Sequence, residues 1–187
     1  MRGGRGTIAH PQLLGVLADQ HHDEVHGAAE HTDLTRSLFV PFDYASHPTQ
    51  IRLPLGRFST YYHPDNLDAS VYLSLKIPVD WVAFLDARVV WASHAGAGNL
   101  YCQLSANYSE NGQVYSVNLD NPALGAIATY GADMWNYRAH PAPLTLPGLA
   151  GADYLGIQVY GNRANALDTL GAAVYFLGVH FTYTANQ

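Results

Sequence analysis

Histidines are concentrated near the start of the chain, where five of the ten precede residue 36. His22 and His26 are four residues apart, so a helix would place both imidazoles on one face, where they could bind a metal ion. Residues 22–26 have the histidine spacing of zinc proteases, but Asp23 stands where that chemistry requires a glutamate base. The pattern therefore argues against a metalloprotease.

The histidines His21, His22 and His26 have two remaining interpretations. If copies of the chain meet around a threefold axis, these imidazoles could bind a shared structural metal, or repel one another once protonated near their ordinary pKa of about 6.5. In the simpler interpretation they are polar side chains of an exposed helix or linker. Four histidines of the body each stand alone, without the His-x-His pattern of a cupin metal site: His63, His94, His140 and His180. Apart from that one structural metal, the sequence predicts no cofactor.

No enzyme motif is present in the sequence. It contains no Gly-x-Ser-x-Gly nucleophile motif, no phosphate-binding loop and no dinucleotide fingerprint. The single cysteine, Cys102, lies in an alternating apolar segment, which indicates a small buried side chain. Glu110 is the only glutamate after residue 35, so paired carboxylates for glycoside hydrolysis have few candidates. We therefore predict a non-enzymatic protein.

Aromatic residues in predicted loops and strand ends are candidates for contact with a ligand. They are Tyr61, Tyr62, Trp135 and Tyr137. Aromatic rings in such positions could bind a carbohydrate ligand. The alternative is that they pack in the core or between subunits, where aromatic side chains are also enriched.

The elements that would position these residues are predicted to be β-strands. Between residues 68 and 77 apolar and polar side chains alternate, and this period of two places one set on each face of a strand. Similar segments recur to the C-terminus. The last of them, 173–183, is apolar on both faces, which predicts a central strand or one covered by a neighbouring subunit. We therefore predict an all-β protein, an antiparallel β-sandwich of the jelly-roll type.

Two local signals refine this prediction. Pro54 would confine the strand around it to a sheet edge, because proline cannot donate a ladder hydrogen bond. The pair Asn111-Gly112 is typical of a two-residue hairpin turn, and residues 113–119 alternate after it. We expect a strand at 113–119 that pairs with the strand before the turn.

Composition and charge limit the classes of partner. The 187 residues carry a net charge of -6 with nine basic side chains, so nucleic-acid binding is not expected. No segment resembles a signal peptide or approaches the roughly 20 apolar residues of a membrane helix. The sequence therefore predicts no nucleic-acid or membrane partner, and synthesis in a cytoplasm.

The first part of the chain differs in kind from the rest. Leu14, Leu17 and Val25 fall on one narrow stripe of a short predicted helix, and such helices are marginal in water without a partner surface. We therefore predict an anchoring and oligomerisation arm, residues 1–35, ahead of a β-sandwich domain, residues 36–187.

Segments of both parts of the chain carry a resemblance to a known group of proteins. They are residues 10–14, 17–22 and 31–33 of the arm and residues 89–93, 98–101, 168–169 and 174–179 of the body. In these segments the arm is similar to the His-rich connectors ahead of the distal domains of phage fibre and head-fibre proteins, and the body resembles jelly-roll modules of phage virion proteins. The sequence therefore resembles virion proteins of tailed bacteriophages.

This resemblance implies a non-enzymatic virion protein, usually a homotrimer, which is assembled in the host cytoplasm. The arm would attach it to other virion proteins such as the major capsid protein. Because no repetitive shaft is present, a capsid-decorating or head-fibre protein fits better than a long tail fibre. The alternative is a receptor- or carbohydrate-binding module of a tail fibre or tail tip, with a host glycan as its ligand.

Overall fold

Every regular element in the described part of the chain is a β-strand. The computed structural model describes residues 34–110, 112–115 and 117–186, and no helix, membrane-spanning or otherwise, occurs among them. The strands are β1 (Leu34–Pro41), β2 (Tyr44–Ala45), β3 (Arg52–Leu55), β4 (Phe58–His63), β5 (Asp68–Lys76), β6 (Trp81–Ser93), β7 (Asn99–Ser109), β8 (Asn118–Asp120), β9 (Gly125–Ala128), β10 (Tyr154–Asn162) and β11 (Val174–Ala185).

The first sheet is antiparallel and is built around β11. β6 pairs with one edge of β11, while β1 and β4 pair with successive parts of its other edge. β11 is therefore a central strand, which confirms the prediction for residues 173–183. β3 pairs with β4 at the border of the sheet and contains Pro54, as the missing N–H of proline requires.

The second sheet, also antiparallel, has β10 at its centre. Its strand order is β2-β5-β10-β7, and both β8 and β9 pair with the far edge of β7. β10 pairs with β5 on one side and with β7 on the other along most of its length. Side chains on these three strands are therefore held in a fixed register.

One hydrophobic core lies between the two sheets. Alternate residues of the second sheet, such as Val71, Leu104 and Val159, are fully buried against Val89 and Phe181 of the first. Burial of one such side chain contributes about 1.5–3 kcal/mol to folding. The predicted all-β class is confirmed, and the two antiparallel sheets with a core between them support the predicted β-sandwich.

The connection from β7 to β8 differs from its prediction. A hairpin does join the two strands, but β8 begins only at Asn118, so most of the predicted strand at 113–119 belongs to a long turn. Within that turn the N–H of Val117 donates to the carbonyl of Val114 at 3.1 Å. Val114 and Tyr115 are exposed, so the alternation in this segment reflects no buried sheet face.

The predicted boundary of the arm falls inside the first strand. β1 begins at Leu34, so Leu34 and Thr35 pair with β11 as part of the sheet. Residues 1–33 lie outside the described residues, and the helical arm stays a prediction.

A buried ion cluster joins the β4–β5 loop, the β10–β11 loop and the start of β7. The fully buried guanidinium of Arg163, just after β10, donates from Nη2 to Asp65 at 2.8 Å and to the carbonyl of Ala172 at 2.7 Å. Its Nε lies 3.3 Å from the carboxylate of Asp168, whose side chain is only 1% exposed. Asp168 also accepts the N–H of Tyr101 at 3.0 Å. The cluster therefore fixes the ends of β5, β7 and β10 against one another.

We predict that Arg163→Met destabilises the protein by about 3–5 kcal/mol, because it leaves the carboxylate of Asp168 buried without its partner. The measurement is urea unfolding of the full chain. Arg36→Met is the matched control, since Arg36 pairs with Asp80 on the surface, where such a pair contributes no more than about 1 kcal/mol. Equal losses from the two substitutions would show that the cluster does not hold the sandwich together.

Another buried polar group, His63, is held as a neutral imidazole. Nε2 lies 2.7 Å from the carbonyl of Leu67 and Nδ1 lies 3.1 Å from the amide of Gln50. This geometry fits an Nε2–H donor and an Nδ1 acceptor. Burial lowers the pKa of His63 to about 4, because the charged form loses its hydration.

We predict that His63 makes stability depend on pH below neutrality. Its folded pKa of about 4 is below the unfolded value of 6.5, so the unfolded state binds the proton first. The stability that depends on a neutral His63 is fully present above pH 6.5 and is lost as pH falls towards 4. The total loss is about 3 kcal/mol. Urea unfolding at pH 7.5 and pH 4.5 should show a smaller loss of stability on acidification in His63→Gln than in the parent. The control His47→Gln, at a partly exposed position, should keep the parental loss. An unchanged acid loss in His63→Gln would contradict this prediction.

Candidate functional site

The outer face of the second sheet is polar and aromatic. Because side chains alternate along a strand, residues of β5, β7 and β10 that do not enter the core point away from it. The strand register arranges them in rows across the sheet. One row is Tyr44, Tyr72, Gln158 and Ser105, and the next is Ser74, Gly156, Asn107 and Leu119.

A groove of about 330 Å³ crosses this face at Gly156. Gly156 contributes no side chain, so the second row has a gap in its middle. Tyr72 lines the groove on the β5 side, and Leu119 and Asn121 line it on the β8 side. Glycine inside a strand often marks a close approach of a ligand or of another backbone. The volume lies at the lower end of the range for small-molecule sites, about 300–1,000 Å³.

A hydrogen-bond network fixes the polar end of the groove. The amide nitrogen of Gln158 donates to the hydroxyl of Ser70 at 2.8 Å and lies 3.2 Å from that of Tyr72. Its amide oxygen accepts the hydroxyl of Ser105 at 3.1 Å. Ser70 and Ser105 are buried although they lie on the outer face. Gln158 and the phenol of Tyr72 are therefore held in place before any ligand arrives.

Hydrogen-bonding capacity remains beside this network. The side-chain amides of Asn107 and Asn121 are exposed and have no hydrogen-bond partner among the described residues. Tyr72 accepts from Gln158, which leaves its own O–H free to donate. The groove therefore offers both donors and acceptors.

The residues that line the groove are all uncharged. Asp120, which follows Leu119, is turned towards the backbone N–H groups of residues 145–146. Lys76 lies on the same face but over the ring of Tyr154, with its nitrogen 5.8 Å from the ring centre. Asp43 accepts a hydrogen bond from a β5 hydroxyl at 3.2 Å. The nearby charges thus have partners of their own, outside the groove.

Two of the predicted ligand-facing aromatics lie on β4, in the other sheet. Tyr61 packs against the core and donates its hydroxyl to the carbonyl of Asp43 at 2.6 Å. Tyr62 is paired with Tyr175, and the two ring centres are 5.6 Å apart. Neither ring lines the groove.

The other two lie beyond β9. Trp135 packs edge-to-face against Phe58, with ring centres 5.1 Å apart. Tyr137 is half exposed beside Arg88 and His180. The four aromatics are therefore not brought together into one site, and their role as ligand contacts stays a prediction.

The other predicted site residues have separate outcomes. Those of the arm lie outside the described residues: Leu14, Leu17, Val25, His21, His22 and His26. In the part of the chain that is described, no group of three or more His, Cys, Asp or Glu side chains could hold a metal ion. Cys102 is fully buried, and burial raises the pKa of its thiol to about 12, so it stays protonated.

Sequence reasoning missed the groove residues Gln158, Asn107 and Gly156. The signal was partly present, because the alternation of β5 already placed Tyr72 and Ser74 on one outer face. What was missing was the strand order, which brings β10 and β7 beside β5. With the strand order known, the glycine of β10 could have been recognised as a gap between polar residues of β5 and β7.

Comparison with known proteins gives no family. No protein-family description matches the sequence, and no curated protein does. Among solved structures, one of TmCBM61 in complex with beta-1,4-galactotriose is similar, with 13% sequence identity and a TM-score of 0.32. The match covers 80% of this chain and 88% of that chain.

Proposed function

We propose that this protein is a carbohydrate-binding module and that the groove on the second sheet is its binding site. The observation that carries the proposal is the prearranged polar groove around Gly156, with Tyr72 at one side and amides at the other. This is the alternative function that the sequence offered, with the site on a different face.

The chemistry of the groove suits sugar hydroxyls. A hydroxyl both donates and accepts, and the free side-chain amides of Asn107 and Asn121 do the same. The ring of Tyr72 and the side chain of Leu119 provide apolar contact for the C–H faces of a sugar. Such a combination of an apolar surface with a few placed polar groups is typical of small-ligand sites.

The rigidity of the groove supports a role in binding. Gln158 is fixed by Ser70, Ser105 and Tyr72, so little side-chain entropy remains to be lost when a ligand binds. None of the lining side chains is a carboxylate that could act as the acid or base of glycoside hydrolysis. We therefore propose binding without catalysis.

We also propose that the sandwich is a jelly roll. Successive strands alternate between the sheets from β4 to β7, and β10 and β11 then return into the two sheet centres. A further segment pairs with β6 through Asn136 and Trp91, and adds to the five strands of the first sheet. These connections support the jelly-roll order.

The capsid-decorating trimer remains a prediction from the sequence. It depends on residues 1–35, almost all of which lie outside the described part of the chain, and so do its virion location and its contact with the major capsid protein. A carbohydrate-binding sandwich with such an arm would suit a receptor-binding protein of a tail fibre or tail tip, with a host glycan as ligand.

We predict that Tyr72→Ala weakens glycan binding at least roughly tenfold, which corresponds to about 1.4 kcal/mol, because it removes both the ring and a hydroxyl donor. The measurement is binding of the full chain to an oligosaccharide array, followed by calorimetry on the best ligand. Tyr62→Ala is the matched control, since Tyr62 is also half-buried but lies on the other sheet. Both variants must first show the unfolding midpoint and circular dichroism of a folded sandwich.

The outcomes separate the two faces. Loss of binding in Tyr72→Ala with retention in Tyr62→Ala supports the groove. The reverse result would move the site to the first sheet, which carries Tyr61 and Tyr62, two of the four predicted ligand-facing aromatics. Absence of binding to every glycan would refute a carbohydrate-binding function.

A further inference from the structure

We propose that the groove selects uncharged sugar chains, with one sugar ring seated over Gly156 between Tyr72 and Leu119. This inference rests on the proposed function of the same site and adds the class of sugar. It follows from the charge of the lining, from its hydrogen-bonding groups and from the space above Gly156.

The lining provides no partner for an acidic sugar. A carboxylate or sulfate that enters a partly enclosed groove loses hydration, which only a nearby cation or several donors would offset. All the lining residues are neutral. The cation on this face, Lys76, is drawn to the ring of Tyr154 in an adjoining row. An uncharged hydroxyl loses less hydration and is matched by the amides of Asn107 and Asn121.

The position above Gly156 is open, and the packing of the sheet does not require it to stay empty. A Cβ placed on Gly156 would have the carbonyl oxygen of Asn107 as its nearest neighbour, at 3.8 Å, which is an ordinary van der Waals distance. The backbone of Gly156 is not in the left-handed region, so an L-residue can adopt its conformation without backbone strain. The glycine is therefore dispensable for the fold, whereas a ring on the sheet needs its empty position.

Gly156→Val provides a direct test of this placement of the sugar ring. Valine favours strands, so the variant should fold at least as stably as the parent, while its two methyl groups fill the groove. Binding of neutral oligosaccharides should fall by roughly tenfold or more. Gly96→Val is the matched control, because Gly96 also has open space around it and lies in the loop between β6 and β7. It should bind like the parent.

The charge preference is tested with paired probes on the full chain. Immobilised oligosaccharides of glucose or galactose are compared with chains of equal length in which glucuronic acid or galacturonic acid, respectively, replaces the neutral sugar. We expect the neutral member of each pair to bind more tightly, with affinity unchanged between low and physiological salt, because no ion pair is formed. Lys76→Gln should bind neutral chains as the parent does.

The results distinguish failure of the neutral-sugar inference from failure of the proposed carbohydrate-binding function. Preferential, salt-sensitive binding of acidic chains that is lost in Lys76→Gln would overturn the neutral-sugar inference and leave a carbohydrate-binding protein. Full binding by a folded Gly156→Val would contradict the placement of a sugar ring over Gly156. No binding to either class of chain would overturn the proposed function itself.

Discussion

The buried cluster of Arg163, Asp168 and Asp65 is the constraint on which the rest of the second sheet depends. The buried guanidinium has charged partners and a carbonyl acceptor from two loops at Nε and Nη2, while its Nη1 has no hydrogen-bond partner among the described residues. Through Asp168 the cluster also holds the N–H of Tyr101 at the start of β7. One end of β5, β10 and β7 is thereby fixed, and the groove lies farther along these same strands.

Once the three strands are fixed, the period of two decides which side chains can form a site. Core positions such as Ile157 and Val159 fill the sandwich, and the intervening positions, Gly156 and Gln158, must face outwards. A single glycine between polar neighbours then creates a depression in an otherwise continuous surface. The groove is therefore a local consequence of strand order and of one missing side chain.

The strands and their buried faces could be predicted from alternation, whereas the site could not. The outward position of Tyr72 and the central position of β11 follow from local pattern alone. The meeting of Tyr72 with Ser105 and Gln158 depends on strand order, which joins residues far apart in the sequence. Local pattern also failed around Tyr115, where alternation accompanies a turn and not a strand. Aromatic type alone selected rings that pack against neighbours in the first sheet, since stacking on protein and stacking on a ligand use the same surface.

The most direct measurement is a nuclear magnetic resonance titration of the isotopically labelled full chain with a neutral oligosaccharide that it binds. A ligand in the groove should shift the side-chain amide signals of Gln158 and Asn107 and the backbone amide of Gly156, and should leave the first sheet unaffected. Shifts confined to the surroundings of Tyr62 and Tyr137, with the groove signals unchanged, would contradict the assignment of the site.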